Sequence, residues 1–306
     1  MTLSVCTLAH GRADHLVNLV HGLNAQTVPP AELVIAVMQA ARYDLPETAF
    51  PVRQILLDSE GFVLSAARNV AARAAVGDKL VFLDVDCIPT PELVADYDRL
   101  LDMTDAILMG EVLYLPKGAV DAGLDFAHFA HIGVQHRDRA GPPETLLGAC
   151  SDYRCFWSLN FAVRKAVFFN VGGFDEGYLG YGGEDTDFGK TVATAGGAFS
   201  WCRGARAYHQ YHPHHMPPVH HIDSVIANAA RFRDKWGHFT MEHWLRAFEL
   251  MGLIALVDGD YVRLREVSEA DLALTRQQAH QPYASTATLL AELEARASSA
   301  AETAAA

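Results

Sequence analysis

The chain has 306 residues and a formal net charge of −13, with apolar residues at 50% and charged residues at 20%. That length suits one large or two small domains, and the acidity argues against a nucleic-acid backbone as the main partner. No apolar run approaches the about 20 residues that span a bilayer. The N-terminus enters a strand-like run at once, without a basic region or cleavage site, so a cytoplasmic protein is expected, with peripheral membrane contact left open. Cys6, Cys87, Cys150, Cys155 and Cys202 are odd in number and lack zinc-type pairing. Reduced thiols are the expectation, with a Cys150–Cys155 pair as the alternative.

Leu3–Leu8 reads as a short strand, followed by the loop Ala9-His10-Gly11-Arg12. A helix then begins near Asp14, its expected N-cap, with Leu16, Leu19, Val20 and Leu23 at helical spacing. Pro29 and Pro30 close it, and Leu33–Met38 is the next strand. A strand–helix–strand unit makes a parallel sheet, and ligands bind beyond the carboxyl ends of such strands. His10, Gly11, Arg12, Met38 and Gln39 fall there. Val52–Leu57 is a third strand, Leu64–Ala75 an Ala-rich helix carrying Arg68 and Asn69, and Leu80–Asp86 a buried strand that ends in Asp-x-Asp.

Pro89 and Pro91 break the chain after that strand. A helix over 92–103 and a strand over 106–114 follow. From Lys117 to Cys155 the pattern weakens to a helix and then a mobile loop over the site, with His128, His131, His136 and Arg137-Asp138-Arg139 in it. Phe156–Val163 is strand-like, Lys165–Val171 a short helix, and Asp187–Ala195 a helix stopped by Gly196-Gly197. Short apolar runs at 199–202 and 205–208 lead into a histidine-rich segment from His209 to His221. Two amphipathic helices over 222–236 and 241–250, one or two strands within 253–264, and an Ala- and Glu-rich helical tail from Ser285 without chemistry complete the chain.

Asp84 and Asp86 alternate along a strand, so a regular strand would point them to opposite faces. At a strand end the second can turn back and both can reach one divalent ion, Mg2+ or Mn2+. The plain alternative is a turn with two solvated acids. Glu184, Asp185 and Asp187 follow Gly182-Gly183 at a helix N-terminus, where the dipole keeps carboxylates ionised. Such a carboxylate can take a proton from an attacking hydroxyl, or it can be an ordinary first-turn acid. His209 and His212 can face a metal as neutral imidazoles; the later histidines read as a zinc site or a polar loop. Arg12 can contact a nucleotide phosphate or base, or pair with Asp14 or a later acid. No Gly-x-Gly-x-x-Gly and no P-loop pattern is present, which removes the main signals for dinucleotide redox and NTPase chemistry.

In this order the residues resemble glycosyltransferases of the GT-A fold. Ala67-Arg68-Asn69 and Leu83-Asp84-Val85-Asp86 are similar to family 2. Gly172-Gly173-Phe174-Asp175-Glu176 and Gly180-Tyr181-Gly182-Gly183-Glu184-Asp185-Thr186-Asp187 more closely resemble the β-1,4-galactosyltransferase family, family 7. His209-Gln210-Tyr211-His212 looks like that family's Met-x-x-His metal segment, and Arg12-Ala13-Asp14-His15-Leu16 like its nucleotide-binding stretch.

The resemblance implies an α/β GT-A fold, with a Rossmann-like, mostly parallel sheet flanked by helices. A catalytic domain would cover 1–221, with a nucleotide-binding half over 1–116 and an acceptor and catalytic half over 117–221. A helical extension would cover 222–284 and a tail 285–306. The implied activity is metal-dependent inverting transfer from a UDP-sugar, galactose or N-acetylgalactosamine favoured, to a glycan, lipid-linked or small-molecule acceptor. Mn2+ (or Mg2+) would sit on Asp86, His209 and His212. Asp84 would lie near the ribose or the metal's water shell, Asp185 would be the general base, Glu184 would contact the donor sugar and Tyr181 would stack on donor or acceptor. His10, Arg12, Arg68 and Gly183 complete the implied donor and acceptor contacts.

Tyr181 replaces a tryptophan of family 7 and Thr186 an acid, and family 2's Asp-Asp-Gly gives way to Val37-Met38-Gln39. A nucleotidyltransferase on the same fold, or an inactive nucleotide-sugar-binding module, are the alternatives.

Overall fold

The computed structural model describes residues 2–58 and 61–305. The strands and helices, in chain order, are β1 (Leu3–Ala9), α1 (Ala13–Asn24), β2 (Glu32–Val37), β3 (Val52–Leu56), α2 (Leu64–Ala74), β4 (Lys79–Leu83), β5 (Cys87–Pro89), α3 (Leu93–Leu101), β6 (Ile107–Met109) and β7 (Val112–Tyr114). There follow α4 (Phe126–Ile132), β8 (Val134–Gln135), β9 (Leu147–Cys150), β10 (Asn160–Arg164), α5 (Lys165–Asn170), α6 (Glu184–Thr194), β11 (Phe199–Cys202) and β12 (Ala207–His209). The last are α7 (Ile222–Trp236), α8 (Glu242–Leu250), β13 (Ile254–Val257), β14 (Asp260–Arg263), α9 (Glu269–Thr275) and α10 (Thr286–Ala305).

Among the described residues the main sheet has the order β3-β2-β1-β4-β10-β6-β11-β9. Its β3-β2-β1-β4 half is parallel, and β10 runs antiparallel to both β4 and β6. All residues of β1, β2 and β4 are buried, as expected of parallel strands covered on both faces. A second sheet, β5-β12-β7-β8, was not foreseen. The chain divides into two compact units, Met1–Leu179 with Glu184–Tyr211, and Gly180–Gly183 with His212–Ala306.

Several elements differ from expectation for identifiable reasons. The helix α1 is not capped by Asp14. Its N-cap is Arg12, held in a left-handed conformation with φ 49, and Asp14 lies in the first turn. The run 106–114 is two strands in two sheets, parted at Gly110, where an added Cβ would lie 2.4 Å from Ala205 O, Asn160 Nδ2 and Tyr97 Oη. Close approach of three groups leaves no room for a side chain there. The weak stretch 117–155 is α4 followed by two strands, β8 in the second sheet and β9 at the edge of the main sheet. Each is short, so its periodicity was unreadable.

A run of phenylalanines builds the floor of the first unit. Phe156, Phe161, Phe168, Phe174 and Phe188 are all fully buried, and Phe174 and Phe188 stack at 4.3 Å. In the second unit, Val225, Ala229, Leu245 and Phe248 form the core of α7 and α8. The tail helix α10 is anchored there through Leu289 and Leu293, one turn apart, against Ala247. All five cysteines are free. No helix among the described residues is long and apolar enough to cross a membrane.

Candidate functional site

The site begins where parallel strands end side by side. Cys6 of β1 pairs with Phe82 of β4, so the loop after β1 and the turn after β4 are neighbours. The strand β4 stops at Leu83, earlier than the sequence pattern implied. Cys87 N–H donates to Asp84 O at 2.9 Å, closing a turn over Val85 and Asp86. The strict alternation of a strand therefore does not apply to Asp84 and Asp86, and each joins a different cluster.

Asp86 is buried, and both of its oxygens are engaged. Arg12 pairs with Oδ2, and His15 Nδ1 lies 2.5 Å from Oδ1. Arg12 thus takes the later-acid partner rather than Asp14. His15, one turn into α1, belongs to the site although sequence reading had placed it only within a resembling stretch; its i+3 spacing from Arg12 was the available signal. The second sheet brings His209 in from the other side. His209 pairs in register with Cys87 of β5 and with Tyr114 of β7, and Gln210 N–H donates to Asp86 O at 2.8 Å. The Tyr114 ring stacks on His209 at 4.7 Å.

His212 stands three residues further, tied to this cluster by the chain itself. Ligand atoms of Asp86, His209 and His212 all lie within 4.8 Å of one another. One carboxylate and two imidazoles within that span suit a divalent transition ion. They suit Mg2+ less, since it keeps to oxygen ligands and water.

The other cluster forms around Arg68 of α2, which is 4% exposed. Its Nη2 is 3.5 Å from Asp84 Oδ1, and its Nη1 is 3.5 Å from Glu184 Oε1 and 4.0 Å from Asp185 Oδ1. Its guanidinium lies 5.1 Å over the Phe174 ring. Three carboxylates share one cation above an apolar floor. Burial pushes the Asp84 carboxyl up to about 6; Arg68 opposes this, while Asp185 and Asp86 add to it. Burial and then Asp185 push Glu184 up to about 7, against the pull of Arg68. Asp185 itself accepts a hydrogen bond from Ser158 N–H at 2.9 Å on Oδ2. Its Oδ1 is buried without a hydrogen-bond donor among the described residues. Asp187 turns away into the core, where Tyr178 Oη donates to it at 3.2 Å.

Asn69, next to Arg68, locks the loop that leads to this cluster. Its Nδ2 donates to Phe174 O at 2.8 Å and to Glu176 Oε1 at 2.9 Å, and its Oδ1 accepts from Phe174 N–H at 2.9 Å. Gly173 has φ 69, and an added Cβ would meet Asn69 Oδ1 at 2.6 Å. The Arg68-Asn69 pair and the Gly-Gly-Phe-Asp-Glu segment, about a hundred residues apart in sequence, are thus one structural device.

Three anticipated residues stand outside these clusters. His10 is exposed and packs edge-on against Phe62 at 5.0 Å. Tyr181 and Gly183 belong to the second unit, where Tyr181 stacks on His221 at 5.0 Å and on Trp244 at 6.0 Å.

With this geometry in hand, known proteins supply the context. Residues 4–112 match the model of glycosyl transferase family 2, and residues 145–215 match that described as the N-terminal domain of galactosyltransferase. A hyaluronan synthase of Pasteurella multocida is 30% identical over 190 residues, which is 55% of this chain and 19% of that protein. A validoxylamine A glucosyltransferase of Streptomyces hygroscopicus subsp. limoneus is 23% identical over 300 residues, 86% of this chain and 63% of that protein. The chain therefore spans only part of each of these relatives. The solved structure of GalNAc-T7 with UDP, GalNAc and Mn2+ superposes with a TM-score of 0.55 at 16% identity, covering 82% of this chain and 51% of that one. This likeness establishes the fold.

Proposed function

We propose that this chain, a glycosyltransferase of the GT-A fold, moves a hexose from a UDP-sugar to an acceptor hydroxyl in one metal-dependent, inverting step. Galactose or N-acetylgalactosamine is the favoured sugar, in keeping with the galactosyltransferase-type segment at 145–215. The observation that carries the reading is the turn after β4. It gives Asp86 to a carboxylate–imidazole trio and Asp84 to the Arg68 cluster that holds Asp185.

In this reading Asp86, His209 and His212 hold Mn2+, which when bound offsets charge on the diphosphate and on the departing UDP. Arg12, already paired with Asp86, places a second positive charge beside the phosphates. Asp84 faces the ribose. Asp185 takes the proton of the acceptor hydroxyl; Ser158 fixes one of its oxygens, and the other has no competing donor among the described residues. Glu184, with its pKa raised to about 7, keeps a population of protonated carboxyl able to donate a hydrogen bond to a sugar hydroxyl. Tyr181 offers a stacking face. The acceptor is a glycan, a lipid-linked sugar or a small molecule, and the reaction belongs to the cytoplasm, where the free thiols stay reduced.

The test is UDP release from a panel of UDP-sugars, with Mn2+, Mg2+ or EDTA. One donor turned over with Mn2+ and stopped by EDTA is the expected result. UDP binding without turnover of any donor marks an inactive binding module. Pyrophosphate release from a nucleoside triphosphate marks a nucleotidyltransferase.

A further inference from the structure

Arg139 lies in the 117–155 stretch, whose sequence pattern suggests a helix and a mobile loop, and the proposed reaction does not use it. The structure fixes its backbone: its N–H donates to His136 O at 3.1 Å, and Gln135 Nε2 donates to its carbonyl at 2.7 Å. The side chain is 6% exposed. Its guanidinium lies 5.0 Å from the ring centre of Trp157 and 4.8 Å from that of Trp201. Nη1 and Nη2 are both buried, and neither meets a hydrogen-bond acceptor among the described residues.

A guanidinium does not shed its proton, so this is a permanent cation removed from water. Two indole faces recover part of the lost hydration, but a buried cation without an anion or acceptors remains costly. A resident carboxylate in contact would have settled that cost; Asp185 acts on Arg139 through space, but neither Nη1 nor Nη2 has a hydrogen-bond partner among the described residues. The feature that fits the deficit is a planar oxyanion, which an arginine grips through two parallel N–H bonds.

The neighbours say where such an anion belongs. Trp157 leads directly into Ser158, whose N–H holds Asp185. His136 packs on Trp157 at 5.0 Å and on Tyr114 at 5.6 Å, and Tyr114 stacks on His209. The proposed reading assigns the trio with Asp86 to the diphosphate, and Asp185, the proposed base, is among the groups whose charge acts on Arg139.

We propose that Arg139 binds the carboxylate of a sugar acid, such as a hexuronic acid, on the acceptor. This rests on the glycosyltransferase reading and extends it to a class of acceptor. Arg139 is then a specificity-determining residue.

The test compares binding of methyl glucuronoside and methyl glucoside to the full chain with UDP and Mn2+, in the unaltered protein, Arg139→Met and Arg139→Lys. UDP-glucuronic acid against UDP-glucose forms the donor arm. Preference for the uronoside by tenfold or more, lost in Arg139→Met and partly kept in Arg139→Lys, supports the proposal. UDP–Mn2+ affinity should be unchanged in Arg139→Met, and its melting temperature without ligands equal or higher, because an unpaired buried charge is gone. Equal affinity for the two glycosides in the unaltered protein overturns it, as does a uronoside preference that survives Arg139→Met. A preference confined to the donor arm overturns the acceptor assignment. A tenfold loss of UDP affinity in Arg139→Met does so too and makes a phosphate the anion. Failure of the unaltered protein to bind UDP–Mn2+ is a separate result, and it removes the underlying transferase reading.

Discussion

Ser158 donates its backbone N–H to Asp185 at 2.9 Å, and this contact orients the acid on the first turn of α6. A carboxylate held at one oxygen by a main-chain donor cannot rotate freely, so its other oxygen keeps a defined position. Asp185→Asn preserves an acceptor for Ser158 and removes the proposed base. Transfer should fall by about 100- to 10,000-fold, with UDP–Mn2+ affinity within about twofold of the unaltered protein. Rate and calorimetric titration, measured on the same preparation, check both halves. Full activity in Asp185→Asn would place the base elsewhere.

In the proposed function Asp86 serves binding rather than proton transfer. Asp86→Ala takes one proposed ligand from the trio and removes the carboxylate that contacts Arg12 and His15. Mn2+-dependent UDP affinity should drop by at least about 100-fold, and His209→Ala by about 10- to 100-fold. Titration of UDP with and without Mn2+ reads this. An Asp86→Ala protein whose UDP affinity still rises normally on adding Mn2+ would refute the assignment.

The acid cluster predicts a pH-dependent stability of definite sign. Glu184 has a folded-state pKa raised from 4.5 to about 7 and Asp84 one raised from 3.8 to about 6, in both cases first by burial. Below their ordinary values both are neutral, folded or unfolded, and cost nothing. As pH rises through the folded values they resist ionisation and destabilise the fold. Glu184→Gln stays neutral throughout. In EDTA its stability relative to the unaltered protein should therefore improve between pH 5 and pH 8, by on the order of 2 kcal/mol. Thermal or urea unfolding across that range measures it; a pH-independent difference would show that Glu184 is not strained.

Asn69→Ala tests the clamp on the Gly-Gly-Phe-Asp-Glu loop. The change strands the buried N–H of Phe174 and leaves Glu176 with Arg73 but without Asn69. A loss of about 2–3 kcal/mol is expected from unfolding measurements, since a buried group left without its partner carries its full desolvation cost. Phe174→Ala, which empties the floor beneath Arg68, should cost about 3–5 kcal/mol. If Asn69→Ala is neutral, the loop is held by something else.

By itself the sequence determined the parallel half of the sheet, because predominantly apolar strands and the 3.6-residue spacing of Leu16, Leu19, Val20 and Leu23 are local patterns. It also marked the acids and histidines, since chemistry-bearing residues at a strand end or after a double glycine are visible one by one. It could not show that 106–114 divides between two sheets at Gly110, because the groups that crowd Gly110, from Tyr97, Asn160 and Ala205, come from elsewhere in the chain. It could not show that His15 reaches Asp86, or that Arg139 lies between Trp157 and Trp201 without an anion. Only the tertiary structure decided that Asp84 and Asp86 join different clusters. A turn that closes after Leu83 sends one acid toward Arg68 and the other toward His209, and both partners are long-range contacts that no periodicity encodes.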